Sequence, residues 1–120
     1  MATKEDVGTF LQDFKVKMGI WDVLFRDQRG KNTQALADLE LRPFERIKIL
    51  EELKIKDFSE GPIKDTLYKM SPMWVFGKII KTQEVYIKIT MGIAGSSVIC
   101  ISFHLAKYPM SYPFKEQKTT

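Results

Sequence analysis

The chain has 120 residues, 44% of them hydrophobic, with 19 Lys and Arg against 15 Asp and Glu for a formal net charge of +4, and one cysteine. That length suits a single domain, expected over 1–120 with an extended Pro-containing tail at about 106–120, large enough to close a core by burial alone. No run of about 18 apolar residues exists, which excludes a membrane-spanning helix; the N-terminus Met1-Ala2-Thr3-Lys4-Glu5-Asp6 has no signal-peptide core, and the lone Cys100 excludes an intrachain disulfide, so a reduced, cytoplasmic setting is expected. Charge is uneven: residues 1–60 hold 11 Lys and Arg against 12 Asp and Glu, whereas residues 61–120 hold 8 against 3. A basic half with interleaved aromatics suits a polyanion partner, and equally a surface that is merely solvated.

In chain order, residues 4 to about 18 predict a first helix. Thr3 caps it with Asp6 three residues on, Val7, Phe10, Leu11, Phe14 and Met18 form an apolar stripe, and Gly19 marks its end. Ile20–Phe25 is rich in β-formers and reads as an edge strand, and Asp27–Asn32 as a turn. Thr33–Leu39 is a short helical stretch with Ala35, Leu36 and Leu39 inward. Pro43 suits the first turn of the next helix; there Phe44, Ile47, Ile49, Leu50 and Leu53 form the apolar stripe, Arg46 lies outside with Glu45 and Lys48, and the end falls near Lys54. Asp57–Pro62 reads as a loop because Gly61 and Pro62 adjoin. Strands are predicted over Met73–Ile80, Glu84–Met91 and Val98–His104, the first pair joined by a turn at Lys81-Thr82-Gln83. The fold class is α+β, with N-terminal helices on one face of a small antiparallel sheet.

Two of these strands carry the chemistry. Strand side chains alternate faces with a period of two, so Val85, Ile87 and Ile89 share one side while Tyr86, Lys88 and Thr90 share the other. By the same alternation Ile99, Ile101 and Phe103 oppose Cys100, Ser102 and His104. With apolar sides matched, Tyr86, Lys88, Ser102 and His104 gather on one surface: a phenol, an ammonium, a hydroxyl and an imidazole, which together can bind a phosphate and move a proton. Lys78 is placed in or out of this group by the register of its strand, which the turn length decides.

The stretches Ile47–Phe58, Met73-Trp74-Val75-Phe76, Glu84–Thr90 and Ile99–Phe103 resemble the MqsR family of toxins from type II toxin–antitoxin modules, within the RelE-like toxin fold, over roughly residues 8 to 107. The resemblance implies an mRNA interferase that cuts single-stranded RNA and is silenced by a cognate antitoxin. It implies that the family's catalytic tyrosine falls on Tyr86 and that a lysine at the end of its last strand is replaced here by His104. A further family lysine, in the loop after the long helix, has Lys64 and Lys56 as its nearest candidates. The family's glutamine on the first hairpin strand has no counterpart, and this chain runs further past the last strand.

RNA can be cut with its own 2′-OH as nucleophile: a base takes that proton, cations stabilise the phosphorane, and an acid protonates the departing 5′-oxygen. One His, one Cys and no clustered carboxylates supply no metal-ligand set, so neither metal nor cofactor is expected. Tyr86 is the candidate for proton transfer, and at neutral pH neighbouring cations such as Lys88 must then lower its pKa. His104, of the residue type that titrates nearest neutrality, can act as acid or base. Lys88 would stabilise the transition state, and Lys64, Lys69, Lys78 and Lys81 would hold the RNA backbone. Each has a plainer reading: Tyr86 as a cross-strand aromatic, His104 as a structural histidine, the lysines as solvated surface. Trp74, Phe76 and Tyr68 could stack bases, though Trp74 and Phe76 fit the core better, and Cys100 reads as a small packing residue. The expected partners are single-stranded mRNA and a cognate antitoxin, with no membrane. The competing functional readings are a RelE-like module that binds nucleic acid or protein without cutting, and an interaction protein that docks a partner at a sheet edge or along the tail.

Overall fold

The computed structural model describes residues 2–27, 30–65 and 71–115. The chain is α+β. Helix α1 (Lys4–Trp21) leads into strand β1 (Val23–Phe25), α2 (Lys31–Asp38) and α3 (Glu45–Glu51). A 3₁₀ turn (Ile55–Asp57) then opens β2 (Phe58–Ile63), followed by β3 (Met73–Ile80), β4 (Gln83–Thr90) and β5 (Val98–Leu105). The five strands form one sheet in the order β1-β5-β4-β3-β2, antiparallel except for β1, which runs parallel to β5. Among the described residues no helix is long and apolar enough to cross a membrane.

Helix α1 forms as its stripe requires but runs through Gly19 to Trp21, so Gly19 does not end it and Ile20 and Trp21, expected in the strand, are helical. Thr3 accepts from the Asp6 amide (3.1 Å) while Asp6 accepts from the Thr3 amide (2.9 Å), a reciprocal cap. Val7, Phe10, Leu11, Phe14 and Met18 are all buried. Phe10 stacks on Trp74 at 4.5 Å, and Phe58 meets Phe76 edge-on at 6.0 Å. The core lies between this stripe and one face of the sheet, with Phe76, Val85, Ile87, Ile89, Cys100 and Phe103 facing it. Trp74 and Phe76 thus belong to the core side.

The sheet is wider than the expected three-strand meander. Ile20–Phe25 contributes its edge strand at Val23–Phe25, and Phe58–Ile63, expected as a loop, is the opposite edge strand β2. Proline is tolerated there because an edge strand has amides that need no ladder partner. The β3–β4 turn is the two residues Lys81 and Thr82, with φ of 50° and 71°, the both-positive geometry that matches the twist of a two-residue hairpin.

Two further expectations fail for identifiable reasons. The first is the strict alternation of β5. Lys88 pairs with Ser102 but Ile89 pairs with Cys100, so Ile101 is the extra residue of a β-bulge. The bulge returns Val98 and Cys100 to the core side with Phe103, and pairs Ile99 with Thr90 instead. The second is α3, which is shorter than its predicted stripe. Phe44 is 64% exposed, and Arg46, expected outside, is only 2% exposed. Arg46 is held by Asp27 through two 2.9 Å hydrogen bonds, by the Pro43 carbonyl at 3.1 Å, and by the Phe25 ring 3.9 Å beneath it. A guanidinium can be buried on those terms because its donors and its face are both partnered.

Helix α2 covers the edge of β5 beyond the short β1. Asn32, 3% exposed, donates to the Ile101 carbonyl (3.2 Å) and the Arg26 carbonyl (2.8 Å) and accepts from the Phe103 amide (2.9 Å). One side-chain amide here replaces a missing strand.

Candidate functional site

Tyr86 and His104 are directly opposed partners on β4 and β5, and Lys88 and Ser102 are the next pair on the same side. The bulge lies one step beyond, so it leaves this grouping intact. The two rings stack with centroids 5.2 Å apart and planes 12° from parallel. This side of the sheet faces away from α1. Tyr86, Lys88, Ser102 and His104 are all partly buried, and no helix covers Tyr86.

What partly covers it is the segment after β5. Residues 106–111 run back over the sheet and close a cleft of about 510 Å³, walled by Tyr86, His104, Lys107 and Tyr108 together with Glu60 and Val75 from β2 and β3. Glu84 pins the far end of this strap, accepting from the Met110 amide (3.1 Å) and the Tyr112 hydroxyl (2.7 Å). Gly77, opposite Tyr86 on β3, leaves room for it: a Cβ there would collide with the Tyr112 hydroxyl and come within 2.8 Å of the Met110 sulfur. Phe114 then stacks on Phe58 at 5.4 Å and fastens the end of the strap to the core.

The electrostatics alter the expected role of Tyr86. Its phenol is pushed up from the ordinary value, first by burial and then by the Glu60 carboxylate, rather than drawn down by Lys88. Tyr86 therefore keeps its proton at neutral pH. His104 has the complementary capacity. In the tautomer with its proton on Nδ1 the ring donates to the Leu105 carbonyl (3.0 Å), which leaves the Nε2 lone pair free. His104 also borders a second hollow, lined by Lys31, Gln34 and Asp38 of α2.

The cations distribute differently from expectation. Lys88 is on the correct side but does not line the cleft; Lys107 does. Lys78 pairs with Val85, which turns it to the core side, where its ammonium meets Asp57 at 3.5 Å. Lys81 lies in the β3–β4 turn and donates to the Glu40 carbonyl (3.2 Å), and exposed Lys64 follows β2; neither borders the cleft. Lys69 and Tyr68 lie outside the described residues. Among the described residues no three His, Cys, Asp or Glu side chains converge as metal ligands. Glu60 was hidden from sequence reasoning because β2 read as a loop. Lys107 and Tyr108 were hidden because an aperiodic tail shows no face; their closeness to His104 in the chain was the only signal.

No family model, curated protein or solved structure matches this chain. The chemistry of the cleft has to be read from its own residues.

Proposed function

We propose that the protein is an endoribonuclease of the mRNA-interferase kind, cutting single-stranded RNA without a metal by attack of the 2′-OH. The observation that carries this reading is the stacked Tyr86–His104 pair inside a cleft that also holds Lys107. His104 takes the 2′-OH proton at Nε2 as the 2′-oxygen bonds to phosphorus. The bond from phosphorus to the 5′-oxygen breaks, and the Tyr86 hydroxyl supplies the proton that the leaving oxygen needs. Lys107, with Lys88 one pair along, neutralises the charge that builds on the phosphorane. The products are a 2′,3′-cyclic phosphate and a 5′-hydroxyl.

The likeness of Glu84–Thr90 to the MqsR strand motif supports the same assignment of Tyr86, and brings with it a RelE-like toxin silenced by a cognate antitoxin. The test is incubation of the purified protein with single-stranded RNA in EDTA, beside Tyr86→Phe and His104→Ala variants. Each variant is expected to cut about 10²- to 10⁴-fold more slowly, the usual contribution of a positioned acid or base. Undiminished cutting by both variants would sink the assignment. Binding of the RNA without any product would instead favour a module that grips nucleic acid without cleaving it.

A further inference from the structure

A cavity larger than the Tyr86 cleft lies elsewhere on the molecule. A groove of about 790 Å³ opens between α1 and the segment that leads from α3 into β2. On the α1 side Lys4, Gly8, Leu11 and Lys15 follow at steps of four, three and four, which keeps them on one helical face. They span three turns, roughly 16 Å at about 1.5 Å per residue. The floor is aliphatic, from Leu11, Leu53 and Ile55, with Phe114 at one end. Gly8 matters to its shape: a Cβ there would come within 3.3 Å of the Ile55 side chain, so glycine lets the 3₁₀ turn close against the helix.

The charged groups of the rim are all cationic, with Gln12 a neutral polar neighbour among them. Lys4 and Lys15 face Lys54, Lys56 and Lys115 across the floor, and no carboxylate lines the groove. Lys15 is tied to the Leu53 carbonyl at 2.6 Å. The ion pairs found among the described residues, Arg46–Asp27 and Lys78–Asp57, involve none of the five. An apolar floor of this length flanked by five ammonium groups is complementary to one kind of occupant, although Lys56 and Lys115 also border a neighbouring hollow that holds Asp57 and Glu84. A nucleic acid would find charge here, but aliphatic side chains give its bases little to stack on. A helix with leucines on one stripe and carboxylates on both flanks satisfies floor and rim together.

We propose that this groove docks an acidic amphipathic helix, about three turns long, from a partner protein. The site is independent of the nuclease reading and stands or falls separately from it. The probe is a labelled, helix-forming 14-residue peptide with Leu at i, i+4, i+7 and i+11 and Glu on the flanking positions. Fluorescence anisotropy is expected to show saturable binding, weakened at least tenfold in a Lys4→Glu/Lys56→Glu/Lys115→Glu variant. All three of those side chains are exposed, so circular dichroism should show the variant folded. Lys31→Glu/Lys48→Glu, at exposed positions on α2 and α3, should change affinity less than twofold.

Amide shift mapping on the wild-type protein gives a second readout that no variant's folding can disturb. Shifts clustered at Leu11, Lys15, Ile55 and Lys115 support the site. Equal binding by a peptide of the same composition with its stripe scrambled would overturn the proposal. So would shifts elsewhere on the surface, the absence of binding, or displacement of the peptide from those residues by a single-stranded RNA oligonucleotide.

Discussion

A phenol and an imidazole stack across adjacent strands, and the surroundings of the phenol hold its proton in place. Burial and the Glu60 charge both disfavour the Tyr86 phenolate, so that proton is retained. The consequence is measurable. In a difference titration near 295 nm between wild type and Tyr86→Phe, Tyr86 should ionise above the ordinary tyrosine value of about 10. Glu60→Gln should move that midpoint down without abolishing the shift, because burial is the larger cause. Since the folded-state value is raised, the stability contributed by protonated Tyr86 is complete below about pH 10 and is lost as pH rises through the folded value. The Asp27–Arg46 pair has the opposite sign. Arg46 holds the Asp27 carboxyl below its ordinary 3.8, so its contribution is complete above that value and is lost as pH falls through the lowered one. Asp27→Asn should therefore flatten the acid limb of the melting temperature between about pH 5 and 2. At neutral pH it should cost on the order of 3 kcal/mol, towards the low end for a buried pair because Asp27 is partly exposed. An unchanged acid limb would show that the pair does not couple folding to pH.

At the scale of elements, the parts that were legible were those in which one periodicity decided everything. The α1 stripe at steps of three and four had only one way to be buried, and the period of two, with the apolar sides of the two strands matched, put Tyr86, Lys88, Ser102 and His104 on one side. The β2 edge was not legible, because Gly61-Pro62 carries the composition of a loop and only the neighbouring β3 makes a strand of it. Nor was the bulge at Ile101: residues Val98 to Ile101 are all apolar enough for either side, so alternation alone could not reveal the slip. Arg46 looked like a solvated helix position because its partner Asp27 is 19 residues away in the chain and its aromatic support, Phe25, belongs to strand β1. Asn32 was equally invisible, yet it closes the β5 ladder beside His104. Asn32→Ala leaves the Phe103 amide and two carbonyls without it, and a cost of about 2–3 kcal/mol is expected for such unpaired buried groups. A urea titration checks this: a loss of unfolding free energy under about 0.5 kcal/mol would mean that water or a shifted α2 replaces the side chain.

For the molecule as a whole, the sheet divides two environments. One side is sealed by α1 into the aromatic core; the other is left to a strap of irregular chain that makes a cleft rather than a lid. Tyr86, Lys88, Ser102 and His104 gather on that second side, and the second half of the chain carries +5 of the formal charge, 8 cations less 3 anions. RNA affinity should therefore fall as salt rises, with log K against log salt sloping downward by about 0.7 for each phosphate neutralised on a single strand. Lys107→Ala should make that slope shallower, whereas Lys78→Ala, which turns away to Asp57, should leave it unchanged. A Lys78 effect equal to that of Lys107 would place the RNA path outside the cleft.

The central claim is that Tyr86 and His104 together carry an internal transesterification of RNA. End-group analysis of the fragments formed in EDTA tests it most directly. A 2′,3′-cyclic phosphate on the upstream fragment and a free 5′-hydroxyl on the downstream one, both lost in His104→Ala, is the result expected. Fragments bearing a 5′-phosphate, or RNA left intact unless a divalent metal is added, would contradict it.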